Sequence, residues 1–477
     1  MYRRNISNLL YPIAAVLALF IVYEAVVKPT PHQTQLPSSV NQSAVKNNAQ
    51  APGEPPSDDP QPAPEKQMRM IDAGGIPDTK YHDTLEAIRD DIEKGNLKTA
   101  ESQLTDLPPH VQADALTRSY SAVLWNNLGI EQEKLEGTKA SVKAFKKASS
   151  LDPKNPVILL NLAHAYWEQR DPAMNQDFLE RLIEVAPQEP FPHMALADWF
   201  QERGRLSEAG RHLDQAVERA GTDPSLQSYL RTVTSKVHQT DQMDRRLASR
   251  EGAHFSVKYD GDKDVDSWTT VLDILEEAYR EIGQNFGHFP SKTVVVVLHP
   301  NAAFQADTGS PAWADGLFDP VLGRIHLPTQ GALTDRAWLK RVLRHEFVHA
   351  LVHDYQGINH NALPTWLNEG LAMQLSSDHW TEVDDLRRAN VTFVPLTTLE
   401  GSWSDLSAEA ASAAYLEANS AARYLLTRYG MHEVVQLLGR LKNRQPLAAA
   451  IQDELSVSYD QLQSRLMAQW QEARSKG

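Results

Sequence analysis

The chain has no cysteine in 477 residues. Disulfides, thiolate metal sites and cysteine nucleophiles are therefore excluded. The same absence permits any redox compartment, an oxidising periplasm included. Positive charge is in deficit as well. Forty-seven Lys and Arg against 62 Asp and Glu leave a net charge of −15. That balance argues against nucleic acid as a partner, and against docking of the soluble part on anionic lipid. The length implies two or three domains, with enough chain for a substantial core.

Charge is also missing from Leu9 to Tyr23, and Ala25-Val26-Val27 continues the apolar run beyond Glu24. Arg3 and Arg4 precede it, and no comparable basic cluster follows closely. By the positive-inside rule the N-terminus stays cytoplasmic and the remainder is exported. No Ala-x-Ala site follows the run, so residues 1–28 are expected to be a cytoplasmic stub and an uncleaved transmembrane helix, not a signal peptide. From Pro29 to about Pro77 the chain is rich in Pro, Gln, Ser and Asn. That composition predicts a disordered linker over 29–77.

Between about residues 78 and 245 a period of 34 residues emerges. Trp125, Leu128, Gly129, Phe145, Ala148 and Pro153 are followed by Leu159, Leu162, Ala163, Leu179, Leu182 and Pro187, then by Leu196, Ala197, Leu213 and Ala216. This spacing resembles the tetratricopeptide repeat, an α-helical solenoid of stacked helix pairs with a concave binding surface. A half-match from Gly95-Asn96-Leu97 through Ala100 and Leu104 suggests a degenerate first repeat. A purely structural spacer is the alternative use of such a domain.

The strongest chemical signal is His345-Glu346-Phe347-Val348-His349, an HExxH inside a helical pattern that starts at Thr334-Asp335. Residues four apart share one helix face, so the two imidazoles can grip one metal ion while Glu346 projects toward its bound water. Nineteen residues separate His349 from Glu369, in Pro364-Thr365-Trp366-Leu367-Asn368-Glu369-Gly370-Leu371-Ala372. A second helix carrying Glu369 could complete a His2Glu set and leave a position open for water, as catalytic zinc requires. His353 extends the same face but lies about 12 Å along the helix from His345, so it reads as a polar helix residue or a donor to the ligands. A metzincin would need Gly and His where Val352 and Tyr355 stand. His360 reads as a loop histidine.

HExxH followed by Asn-Glu-Gly-x-Ala is similar to the gluzincin metallopeptidases, thermolysin-like in ligand order. More closely it resembles the peptidase MA-like domains of bacterial proteins, from about Phe255 to Gly430. The resemblance implies an α+β zinc peptidase over 250–477, with its α+β part ending near 380 and a helical lobe after. It implies His345, His349 and Glu369 as metal ligands to one Zn2+ per chain, and Glu346 as general base. It also implies a Tyr or His donor to the oxyanion on a later helix. Tyr415 is preferred here and Tyr424 is second, although each could be a packing aromatic. One departure stands out. Thermolysin-like enzymes carry an Asp four residues after the ligand Glu to orient a histidine, and this chain has Met373.

Strands are expected at Phe255–Tyr259, Thr293–Leu298 and Gly323–Pro328, with a helix from Ser267 to Phe286. The last strand matches the gluzincin sheet edge that pairs with substrate. His326 on it reads as outward-facing, with cleft lining as the alternative. Trp313 to Asp319 reads as a loop over the cleft. Helices are expected over Ser407–Arg428, Met431–Leu441 and Leu447–Arg474.

Together these features predict a zinc metallopeptidase of the bacterial inner membrane, single-pass, with its bulk in the periplasm. Its partners would be a protein or peptide substrate, a protein partner held by the repeats, and the membrane through the N-terminal helix. The repeats are expected to concentrate substrate without shaping the catalytic cleft. Alternatives are an inactive repeat scaffold and a zinc amidase acting on cell-wall material.

Overall fold

The structure, a computed structural model, describes residues 68–475 except 73, 109–112, 170, 262–266, 311–313, 329–334, 358–362, 377–393 and 405. The expected anchor and most of the expected linker lie outside this range. Among the described residues no helix is long and apolar enough to cross a membrane.

Four helix pairs come first: α1 (His82–Glu93) with α2 (Leu97–Asp106), α3 (Ala115–Glu136) with α4 (Thr138–Leu151), α5 (Pro156–Gln169) with α6 (Gln176–Val185), and α7 (Phe191–Gln201) with α8 (Leu206–Arg219). The half-match near Gly95 is thus a complete pair. The inner faces carry the periodic residues: Leu128, Phe145, Ala148, Ala163, Leu179, Leu196, Ala197 and Ala216 are all fully buried. Gly129 permits a close approach within its pair, because a Cβ there would stand 2.7 Å from the Phe145 ring. Side-chain caps fix the starts, Asp114 accepting from the Thr117 N–H and Asn175 from that of Phe178. A ninth helix, α9 (Pro224–Asp244), closes the stack; Asp223 caps it and Pro224 occupies the first turn.

Residues 68–72, placed by composition in the disordered linker, lie against the repeats. Ile71 and Ile76 pack on the cluster around Trp125 and Leu128, and Met68 packs on that around Phe145 and Tyr166. Apolar side chains hidden in a polar stretch account for the difference.

The remainder is a five-stranded mixed sheet with helices on it. The strands are β1 (Ala248–Glu251), β2 (Phe255–Tyr259), β3 (Val294–His299), β4 (Leu317–Asp319) and β5 (Arg324–Pro328), in the order β1-β2-β3-β5-β4. β2, β3 and β5 run parallel, while β1 and β4 are antiparallel to their neighbours. The expected edge strand β5 is therefore internal, and the edge is β4, inside the segment read as a loop. Three residues are too short for an alternation to show in sequence.

One sheet face, with Phe255, Val257, Val296, Ile325 and Leu327, joins the core built on α10 (Ser267–Phe286) and α12 (Arg336–Gln356). A short helix, α11 (Asn301–Thr308), follows β3. After α12 come α13 (Thr365–Leu375), α14 (Ala408–Arg428), α15 (Met431–Lys442), α16 (Leu447–Leu455) and α17 (Tyr459–Ser475). Gly370 on α13 faces α14 so closely that an added Cβ would meet the Ala418 carbonyl oxygen, and would stand 2.8 Å from Ala422 Cβ.

The opposite sheet face is polar and meets the last repeat helix. Asp244 of α9 receives Arg324 Nη1 at 3.0 Å on each carboxylate oxygen, and Lys258 Nζ at 3.3 Å. Lys236 Nζ lies 2.9 Å from Asp319 Oδ1. Val321 and Leu322, in the β4–β5 turn, pack into the repeat cluster around Leu213 and Val237. Repeats and sheet form one packed unit through these contacts.

Candidate active site

α12 supplies three of the central residues because its start is fixed: Asp335 accepts from the N–H groups of Ala337 and Trp338. From there Leu339, Val342, Leu343, Phe347 and Leu351 face the core, which holds the HExxH face toward the cleft. Arg344 braces this helix, donating to the Ser376 carbonyl at 3.1 Å and to Glu281 at 2.7 Å. α13 brings Glu369 opposite.

His345 Nε2 and His349 Nε2 are 3.2 Å apart, and lie 3.3 and 3.4 Å from Glu369 Oε2. Among the described residues, these three side chains bring metal-ligating atoms within 4.8 Å of one another. Burial pulls the His349 imidazole down, yet the adjacent Glu369 carboxylate outweighs it and the ring is pushed up to about 9. Glu369 is driven the other way: burial raises it, but His349 and His345 hold it far below the usual carboxylate range. A cation is what this cluster of donors favours. Among the described residues, the buried His349 Nδ1 has no hydrogen-bond partner. Met373, where the resemblance leads one to expect an Asp, is buried apolar packing and offers no acceptor.

Glu346 is buried beside the cluster, and burial raises its carboxyl above the usual range, with His345 and His349 opposing and Glu369 assisting. The Phe318 backbone N–H of β4 donates to it. Gly316 makes room for that contact, since a Cβ there would lie 3.0 Å from Glu346 Oε1 and 2.7 Å from Val342 Cγ1. Tyr415, on α14, hydrogen-bonds Glu369; burial and the carboxylates of Glu369 and Glu346 hold its hydroxyl well above the ordinary tyrosine value. The close α13–α14 contact at Gly370 is what lets that hydroxyl reach the cluster.

The other candidates fall elsewhere. Tyr424 packs on the core and stacks edge-on against Tyr429. His353 lines the cleft with its ring 5.3 Å from that of Phe318. His360 lies outside the described residues. His326 is neither outward-facing nor in the cleft. It is buried, with Nδ1 2.8 Å from His299 Nε2, and His299 Nδ1 is 3.0 Å from Asp307. Strand position could not show this, because α11 and α9 cover a face that would otherwise meet water.

A cleft of about 1850 Å³ joins His345, Glu346, His349, Glu369 and Tyr415 to Tyr166, Trp167, Trp199 and Tyr229 of the repeats. The repeats therefore line the candidate site's cleft, where they were expected to stand apart from it. Phe318 and Lys236 were not singled out from sequence, whereas Gly316 was noted within the segment read as a loop over the cleft. Only Gly316 carries a local signal, a glycine beside a short apolar pair.

A family model described as the Peptidase MA superfamily matches residues 304–474, and a tetratricopeptide repeat model matches residues 122–155. No curated protein matches the chain. The first match holds every ligand candidate and Tyr415, and the second begins within α3 and covers α4. The chain thus carries a Peptidase MA superfamily domain preceded by a tetratricopeptide repeat.

Proposed function

We propose that the chain is a zinc-dependent peptidase of the bacterial inner membrane, with its bulk in the periplasm and its repeats recruiting polypeptide. The observation that carries this is the convergence of His345 Nε2, His349 Nε2 and Glu369 Oε2 beside the buried Glu346. A point equidistant from the three atoms lies about 1.9 Å from each, near the ~2.0–2.2 Å of zinc–nitrogen and zinc–oxygen bonds. Two nitrogens and one oxygen favour zinc over magnesium or calcium, which prefer all-oxygen shells. Bound zinc supplies Lewis acidity toward a scissile carbonyl and lowers the pKa of water.

The chain's own groups do the rest. Glu346, with its carboxyl raised by burial, takes the proton of the attacking water and passes it to the leaving amine. The Phe318 N–H orients that carboxylate. Tyr415 keeps its proton and donates to the developing oxyanion. β4, an edge strand among the described residues, offers backbone groups to an extended substrate, in the manner of an added strand. The uncharged run from Leu9 to Tyr23 behind Arg3 and Arg4 supports the membrane placement.

Elemental analysis of the purified chain tests the metal. About one zinc per chain is expected, as for a single three-ligand site. His349→Ala should lose most of it, and undiminished zinc in that variant would contradict the ligand set.

A further inference from the structure

Asn127 on α3 and Asn161 on α5 stand at the same position of successive repeats, 34 residues apart. Both grip one extended segment of the chain itself. Asn127 accepts the Ile71 N–H at 3.0 Å and donates to the Ile71 carbonyl at 2.9 Å. Asn161 accepts the Arg69 N–H at 3.0 Å and donates to the Arg69 carbonyl at 2.9 Å. Asn126, itself buried, accepts from Asn161 at 2.9 Å and so orients that amide. A carboxamide offers one acceptor and two donors, which matches the N–H and C=O of an extended residue. Residues two apart point their backbone groups the same way, so a ladder of amides reads a strand, whatever its side chains.

Side chains add a pattern. Met68 packs near Phe145 and Tyr166, Arg69 pairs with Glu189 at 2.7 Å, Met70 is exposed, and Ile71 packs beside Trp125. The hold is partial, since Met68 and Ile71 are only half-buried and Arg69 and Met70 face solvent. Gly74-Gly75 follows, with Gly74 at φ +62°, a joint that lets the segment leave without moving α1. Traced toward the N-terminus, the segment passes from α3 to α5 and places Met68 beside Tyr166, which lines the cleft.

We propose that residues 68–72 are a resident ligand of a backbone-clamping groove. An extended polypeptide with the same apolar–basic–any–apolar pattern binds there by displacing them. In the resident's orientation such a polypeptide runs from the groove toward the cleft. Binding at this groove involves no bond cleavage, so it stands or falls apart from the peptidase chemistry.

The probe is a labelled peptide of residues 66–75, titrated by fluorescence anisotropy into the full chain. A second titration uses a chain vacated by Met68→Gly, Arg69→Gly, Met70→Gly and Ile71→Gly. The vacated chain should bind at least about tenfold more tightly, because it has no competitor in cis. Arg69→Glu alone, which opposes Glu189, should give an intermediate gain. N-methylation of the peptide at the Arg69 or Ile71 amide should weaken binding by about fivefold or more, and at Met70 by much less. Equal affinity of wild-type and vacated chains, or indifference to N-methylation, would overturn the proposal. So would unfolding of the vacated chain, since a displaceable ligand is not needed for the fold.

Discussion

Lys236 of the last repeat helix and Asp319 of the edge strand β4 form an ion pair of 2.9 Å across the repeat–sheet boundary. Asp319 is almost fully buried and also accepts from the Val321 N–H, so its carboxylate locks the end of β4. One residue earlier, Phe318 donates its N–H to Glu346. A charge on the repeats thus sits two links from the proposed base.

Lys236→Ala should therefore affect catalysis as well as stability. The lysine is partly exposed, so the loss of stability should be only about 1 kcal/mol. Turnover on a short peptide should fall by about threefold to tenfold as β4 loosens over Glu346. Arg231→Ala, whose side chain contacts Gln227 in its own helix, serves as the control and should change neither. A lowered melting temperature with unchanged turnover would show that β4 is held without Lys236.

Tyr415→Phe separates oxyanion donation from packing. The hydroxyl touches Glu369 in the structure, while the ring stacks edge-on against Trp403 at 5.2 Å. Phe keeps the ring, so kcat should drop by about 10²-fold with little change in KM and with zinc retained. Tyr424→Phe should behave like the wild type. If Tyr424→Phe alone reduced kcat, the donor would be misassigned.

Glu417, which is not among the candidate metal ligands, gives a pH test. Burial pushes its carboxyl up to about 7, against one opposing contact, the Val394 N–H at 3.0 Å. A raised folded-state pKa means that the native state holds the proton more tightly than the unfolded chain does. Its stabilisation is complete below about 4.5 and is lost as pH rises through 7, a swing on the order of 3 kcal/mol. Glu417→Gln keeps the acceptor for Val394 and stays neutral. Denaturant titrations should show the variant close to wild type at pH 4.5 and more stable above pH 7. A constant difference across that range would contradict the raised value.

The HExxH helix, the helix of Glu369 and the repeats were legible because their information is local. HExxH lies within one turn, Asn368-Glu369-Gly370 within another, and the 34-residue period repeats itself. The parts that were not legible are long-range. β4 has three residues and its place depends on α9, 83 positions upstream at the Lys236–Asp319 contact. His326 looked free because nothing in its strand announces that His299 lies beside it. Asn127 and Asn161 share a repeat position but were not singled out from sequence. Their meaning needed the segment at Arg69 and Ile71, which composition had assigned to the linker.

The most direct measurement is the rate at which the zinc-loaded chain cleaves an unfolded polypeptide, compared with Glu346→Gln carrying the same zinc. Wild type should cut peptide bonds, while the variant keeps its metal and loses about 10²-fold or more of the rate. Near-normal cleavage by Glu346→Gln would remove Glu346 as the base. Absence of cleavage by the zinc-loaded wild type would contradict the peptidase assignment and leave the domain a binding scaffold or an amidase for other bonds.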